Sequence, residues 1–412
     1  MKINQTSFMD PATQEDPFAY YDALLEQAPV YFMKEIGAYV VSKYDDIRHV
    51  VTHPEIWSID MSALPQAQLI KTPGARKLLE DEGFPRDTRL TTDPPVHTQY
   101  RMAVHKAFTP QRVKRNAAFI QDAVDDLTRE MAELSQCEFM RQFAWRLPML
   151  VITRLLGVPA EDADAIKHWS DVWVEPLTYG LSDERELYVA REEVALQKYL
   201  LKHMELKQSA PGDDILTDLA NARMADGSEM PLAQKVGLAE HLIVGDHETA
   251  TSALGSGMMR LAQQPEVAAA LRASPQLIET FTEEVLRLES PSQGFFRIAI
   301  ADSELRGVPI PKGAMVHLRF AAANRDPDQF PNPAKLDLQR KNAQTHLGFS
   351  QGPHFCLGSP YARLELNTAF RSLVQAFDEI RLTPGAPAIK HVPGLSLRTL
   401  EALHISYRRR TH

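Results

Sequence analysis

One helical pattern, running from about Pro231 to Gln263, sets the scale of whatever this chain folds into. Ser228 and Pro231 mark its start and Pro265 its stop, in line with cap and first-turn preferences. At about 1.5 Å per residue such a helix extends on the order of 50 Å, enough to cross an entire domain. Further helical periods cover Asp93–Ala107 (opened by Pro94 and Pro95), Val113–Leu134, Asp162–Trp173, Glu184–Lys207, Pro275–Glu289 behind a Ser274 cap, and about Leu357–Phe377. Short alternating runs at Val30–Phe32, Ala38–Ser42, Phe296–Ile300, Met315–Phe320 and Leu403–Tyr407 predict a small sheet. No internal repeat or low-complexity linker interrupts the pattern. The expectation is a mainly α protein, one large domain over 1–412. Its α-rich core covers about 93–290 and 355–380, and its β-rich region about 28–60, 295–322 and 385–408.

Charge and cysteine usage narrow the function. A formal net charge of −9 argues against generic nucleic-acid binding, which needs a basic surface. Two cysteines, Cys137 and Cys356, are too few for a disulfide framework and suit a reducing compartment. The first twenty residues carry Asp10, Glu15 and Asp16 and show no apolar signal-peptide core. No stretch approaches eighteen apolar residues, so no membrane span is predicted. A soluble, cytoplasmic protein is expected.

The run Phe349-Ser350-Gln351-Gly352-Pro353-His354-Phe355-Cys356-Leu357-Gly358 reads as a glycine-relaxed turn that delivers a thiol to the start of a helix. A thiolate there meets backbone N–H groups and the positive end of the helix dipole. A single thiolate is a known ligand of haem iron, where it favours O–O cleavage. The blander alternative is a small buried hydrophobe. Zinc is disfavoured, because its structural sites take several closely spaced Cys and His. Gly348-Phe349-Ser350-Gln351-Gly352 matches the G-x-S-x-G pattern, but that nucleophile elbow needs a strand before it and a helix after it. Here Pro353 follows at once in a mostly helical chain.

Two weaker motifs precede the cysteine. His247-Glu248-Thr249-Ala250-Thr251 lacks the second imidazole of H-E-x-x-H, so the zinc-protease reading fails. What remains is an acid beside a hydroxyl in mid-helix, just after Gly245, with apolar Leu242, Ile243 and Val244 upstream. It is either a packed polar patch with a hydroxyl bonded back to a carbonyl, or a proton relay beside a ligand at a local widening of the helix. Glu284 and Arg287 stand i, i+3 on one helix, a spacing usually seen in ordinary surface pairs.

Taken in order, the acid–alcohol pair, Glu-x-x-Arg, a proline-rich stretch and Phe349…Cys356-Leu357-Gly358 resemble the cytochrome P450 family, in its soluble bacterial form, over essentially the whole chain. The resemblance implies a triangular α-rich prism with a small β region, and a haem b held by the Cys356 thiolate. Phe349 would pack beside the sulfur, while Gly352 and Gly358 let backbone come close. His97, Arg101, Arg297 and His354 would meet the haem propionates. Glu248 and Thr249 would be the catalytic pair, Thr249 positioning dioxygen and Glu248 connecting it to solvent protons. Glu284 and Arg287 would be structural, tied to the stretch before the cysteine.

Two departures stand out. Asp246 replaces the family's usual glycine and is expected to contact a polar or cationic ligand group, or to turn into the packing. The family's Arg that completes the Glu-x-x-Arg network is replaced by Lys335, with Arg340 five residues on, so either residue fits that role. The implied pocket draws on Leu242, Ile243, Gly245, Asp246, Phe295 and Leu395, with Trp57, Met61, Leu64 and Leu397 nearby. Such a lining suits a terpenoid, steroid-like, aromatic or fatty substrate. No flavin or cluster motif is present, so the resemblance implies a ferredoxin with a separate NAD(P)H-dependent reductase as electron source, and O2 as co-substrate. A peroxide-driven peroxygenase and a non-catalytic haem carrier are the alternatives, both disfavoured by the intact acid–alcohol pair.

Overall fold

The computed structural model describes residues 3, 6–62, 69–86, 89–178 and 180–410. The chain divides into two compact units: Met1–Ser58, Ala117–Leu147 and Glu248–His412 form the first, and Ile59–Asn116 with Pro148–His247 the second. The long helix, Leu232–Gln263, begins in the second unit and ends in the first. Among the described residues no helix is long and apolar enough to cross a membrane.

The first unit carries the strands. They are β1 (Val30–Met33), β2 (Ala38–Val41), β3 (Trp57–Ser58), β4 (Gln136–Glu138), β5 (Phe295–Ala299), β6 (Ser303–Leu305), β7 (Val308–Ile310), β8 (Met315–Leu318), β9 (Phe377–Leu382) and β10 (His404–Arg409). The main sheet has the order β1-β2-β8-β5-β3, with β2 and β8 parallel and Val41 opposite Leu318. A second sheet, β4-β10-β9, brings residues 136–138 onto the C-terminal strand, and β6 pairs with β7. Val41, Trp57, Leu318, Phe320, Phe330 and Leu347 belong to one apolar core under the main sheet. Because Leu347 sits in that core, the segment leading to the cysteine turn is fixed to the sheet by burial of apolar surface.

The second unit is helical among its described residues, apart from an isolated bridge between Arg223 and Glu229. Helix Asp183–Ser209 is capped by Ser182, whose hydroxyl accepts from the Arg185 N–H at 3.2 Å, and its first turn holds Asp183, Glu184 and Glu186, charges that suit the positive end of the helix dipole. Ile70, Ala75, Leu79, Val172, Val189 and Val194 pack together as one apolar core within this unit.

The predicted elements are present with shifted ends. The helix expected from Pro275 opens as a 3-10 turn, Pro275–Leu277, and becomes α-helical over Ile278–Glu289; Ser274 holds the cap position without a side-chain bond. The helix after the cysteine starts only at Ser359, with Pro360 in its first turn, and ends at Ala376, where Phe377 enters β9. The strand from Met315 stops at Leu318, since Phe320–Ala323 turns helical. The widening considered for the long helix is absent. It is α-helical over all 32 residues, and a π turn occurs at Met140–Ala144 instead. Sequence patterning missed Phe18–Gln27, Tyr44–Thr52 and Pro73–Glu82; none of the three begins with a side-chain cap.

Glycine sets one critical approach. A Cβ at Gly257 would lie 2.1 Å from Cζ of Phe370, so only glycine lets the long helix pack this closely on helix Ser359–Ala376.

Candidate active site

Cys356 lies in the turn between the 3-10 segment Gly352–His354 and helix Ser359–Ala376. Its N–H donates to the Phe349 carbonyl at 2.9 Å, which closes the turn. Gly352 has φ +71°, and a Cβ there would meet the Val51 carbonyl oxygen at 2.5 Å. Both constraints demand glycine. At Gly358 a Cβ would sit 3.9 Å from Cys356 Sγ, an ordinary van der Waals contact, so the close approach expected there does not require glycine. Tyr44 braces the turn, donating its hydroxyl to the Thr345 carbonyl at 2.7 Å and accepting from Gln351 at 3.1 Å. The thiol is half-buried. Burial pushes the Cys137 thiol up to about 11, so it remains protonated.

An ion-pair cluster that sequence reasoning missed surrounds Phe349. Glu283 accepts two hydrogen bonds from Arg363, at 2.7 and 3.0 Å, and lies 3.2 Å from His346 Nε2. Burial pushes the Glu283 carboxyl up, but the hydrogen bonds and charges of His346 and Arg363 outweigh it and bring it to about 2. The Arg363 guanidinium lies 4.6 Å from the Phe349 ring centre, and His346 packs on the same ring at 5.5 Å. Only the adjacent Glu284 hinted at Glu283.

Glu284 and Arg287 form a fully buried pair, with Nε to Oε1 at 2.6 Å and Nη2 to Oε2 at 3.0 Å. Arg340 reaches the same carboxylate, Nε to Oε1 2.9 Å. Lys335 contributes its backbone carbonyl to Arg287 Nη2 at 3.2 Å. The guanidinium at 340 therefore completes the network. Arg287 also donates to the carbonyls of Asn324 and Pro333, at 2.9 and 2.7 Å, and the Asn324 side-chain oxygen accepts from the Leu347 N–H at 2.6 Å. The pair thus ties one helix to the whole stretch before the cysteine turn.

Arg297 sits on β5 opposite Val316, buried, and donates Nη1 to the Phe296 carbonyl at 2.8 Å. His354 is half-buried in the turn itself. Phe295, two residues before Arg297 on β5, is exposed with its ring 5.9 Å from Phe320. Leu395 is partly buried against the core around Tyr20 and Tyr21. Trp57 lies inside the main-sheet core, and Leu64 lies outside the described residues.

In the second unit His97 and Arg101 stand one turn apart on helix Val96–His105. His97 is only 3% exposed. Burial and then the Arg101 charge push its imidazole down, so it favours the neutral form there.

Along the long helix, Ile243 is wholly covered by protein, while Leu242 and Asp246 are half-buried and Gly245 is exposed. A Cβ at Gly245 would meet nothing within 4 Å. The helix is therefore open at this turn. Oδ2 of Asp246 is buried without a hydrogen-bond partner, and desolvation pushes its carboxyl up to about 7. His247 is buried and pushed down to about 3 by desolvation and then by Lys167. Further on, Glu248 and Thr249 are half-buried, and Ser252 donates its hydroxyl back to the Glu248 carbonyl at 2.9 Å.

Comparison with known proteins identifies the family. The family model for cytochrome P450 matches residues 182–401. The cytochrome P450 monooxygenase PikC of Streptomyces venezuelae is 32% identical, covering 96% of this chain and 92% of that protein. The vitamin D(3) 25-hydroxylase of Pseudonocardia autotrophica is 31% identical over 95% of this chain and 94% of its own. Cytochrome P450 CYP109E1 of Bacillus megaterium, solved with corticosterone, superposes with a TM-score of 0.82 at 28% identity, covering 96% of this chain and 99% of that one. The chain belongs to the cytochrome P450 family of haem-iron monooxygenases and is an oxidoreductase.

Proposed function

We propose that this chain is a haem-thiolate monooxygenase in which the Cys356 thiolate would hold the iron of haem b. The observation that carries this is the half-buried Cys356 thiol in a turn fixed by its own N–H, by Gly352 against Val51 and by Tyr44. The donor set fits such a group: one thiol, with Arg297 and His354 in the same unit as N–H donors for propionates. His97 and Arg101 supply further propionate contacts. Bound haem supplies oxygen activation and hydrogen abstraction, assisted by thiolate donation.

The chain's own residues do the rest. Thr249 orients dioxygen through its hydroxyl, and Glu248 passes solvent protons to it. Glu284, Arg287 and Arg340 hold the stretch before the cysteine turn, and Phe349 shields the sulfur. Leu242, Gly245, Asp246, Phe295 and Leu395 contribute to the substrate pocket. Asp246 bonds a donor or cationic group of the ligand, because its buried Oδ2 has no protein partner. The chain is one catalytic domain acting in the cytoplasm, and a ferredoxin served by an NAD(P)H-dependent reductase delivers electrons on the cysteine side.

The substrate is a small, mostly apolar organic compound, terpenoid, steroid-like, aromatic or fatty. A relative named as a vitamin D(3) hydroxylase and another with bound corticosterone support the steroid-like choice. Incubation with ferredoxin, its reductase, NADPH, O2 and a panel of steroids tests the function. A hydroxylated product that needs the ferredoxin and O2 is the expected result. Product formed only with added peroxide would favour the peroxygenase instead.

A further inference from the structure

A second set of buried polar groups lies in the second unit. Arg86, between helix Pro73–Glu82 and the 3-10 turn Arg89–Thr91, has a side chain only 8% exposed. Its Nε donates to both oxygens of Glu193, at 3.0 and 2.8 Å, from helix Asp183–Ser209. Nη1 and Nη2 are buried and bond to nothing. The guanidinium lies 4.2 Å from the ring centre of Trp173, whose indole Nε1 is also buried without an acceptor. Trp173 in turn meets His241 of the long helix edge-on, at 5.6 Å. Four separate segments thus converge on five N–H donors, the four of Nη1 and Nη2 and the indole, that the protein itself leaves unsatisfied.

The arrangement is held in advance. Phe84, two residues before Arg86, donates its N–H to the Gln197 side chain at 2.7 Å, and its carbonyl accepts from Gln197 at 3.0 Å. A buried donor with no acceptor costs about 1–3 kcal/mol, so a fold that keeps several together calls for an oxygen from outside. Glu193 already balances the Arg86 charge, so a ligand carboxylate would bring an uncompensated buried charge. An uncharged acceptor fits better. His241 stands four residues before Gly245, about 6 Å along the helix axis, one turn from the open turn at Gly245 and Asp246.

We propose that Arg86 and Trp173 form an acceptor subsite that takes an uncharged carbonyl oxygen of the substrate. This rests on the monooxygenase reading only in taking the ligand to be the substrate. Arg86 and Trp173 are specificity residues, opposite in chemistry to Asp246, and together they select an apolar skeleton with a carbonyl at one end and a donor at the other.

The test is equilibrium dialysis of the haem-loaded chain with matched probes: cyclododecanone against cyclododecane, menthone against menthane, and dodecanoic acid against dodecane. Ketones are expected to bind about tenfold more tightly than their hydrocarbons, the scale of one charge-assisted hydrogen bond. Arg86→Lys keeps the charge opposite Glu193 but loses the fork, so it should abolish that preference and leave hydrocarbon affinity unchanged. Trp173→Phe keeps the ion pair and should weaken the preference about threefold, which carries the test if the Lys variant does not fold. No ketone preference in the native chain, a preference that survives both substitutions, or a larger preference for the acid would overturn the subsite. Dialysis does not depend on the haem spectrum. A native chain without a thiolate-type carbon monoxide spectrum would therefore sink the monooxygenase reading and leave the dialysis result to judge the subsite alone.

Discussion

Glu284 and Arg287, three residues apart on helix Ile278–Glu289, form a two-bond ion pair from which solvent is wholly excluded. Such a pair is not a net stabiliser by virtue of its charges, because desolvation offsets much of the attraction. Its worth is positional. Arg287 bonds the carbonyls of Asn324, Pro333 and Lys335, Arg340 reaches the same Glu284 carboxylate, and the Asp337 N–H donates to Oε2 at 2.9 Å.

Glu284→Ala leaves two guanidinium groups buried without their carboxylate. A loss of about 3–5 kcal/mol is expected, the usual cost of breaking a buried pair from one side, and with it a failure to incorporate haem. The haem-to-protein absorbance ratio of purified material checks this. A normally loaded variant would contradict the structural role.

Thr249→Ala removes one hydroxyl from a half-buried position of the long helix and leaves the cysteine turn untouched. Haem content should stay at the native level, while a larger share of NADPH oxidation ends as peroxide instead of product. Parallel measurement of NADPH consumed, peroxide released and product formed gives the coupling ratio. Unchanged coupling would remove Thr249 from the oxygen side of the mechanism.

Asp246 provides a pH signature. Its carboxyl is raised from 3.8 to about 7 by desolvation. A carboxyl raised on folding contributes stability that is fully present below the unfolded value and is lost as pH rises through the folded one. Asp246→Asn should therefore raise the thermal midpoint of the haem-loaded protein at about pH 8 and change it little at about pH 4. An amine-bearing ligand should bind the native chain more tightly as pH rises through about 7, a trend the Asn variant loses. Equal shifts at both pH values, or the same pH trend in the variant, would rule the carboxyl out.

What the sequence revealed, and what it hid, follows from chain separation. The Cys356 turn, the His97–Arg101 spacing and the Glu284–Arg287 spacing are local patterns, so turn chemistry pointed to the first and the family resemblance to the other two. Glu283 and Arg363 are 80 residues apart, and Arg86 and Glu193 are 107 apart. Neither pair has a local signature, and only packing brings them together. The choice between Lys335 and Arg340 is of the same kind. It turns on which side chain reaches Glu284, and there a guanidinium at 340 does so while position 335 offers only its carbonyl. Short helices such as Tyr44–Thr52 escaped because no capping side chain announces them.

The central claim is the bond from Cys356 to iron, and one substitution addresses it. Cys356→Ser keeps the size of the side chain and removes the thiolate. The native chain, reduced under carbon monoxide, should show the absorbance band of thiolate-ligated haem, and the serine variant should lose that band or lose the haem altogether. A variant whose reduced carbon monoxide spectrum matches that of the native chain would contradict the account.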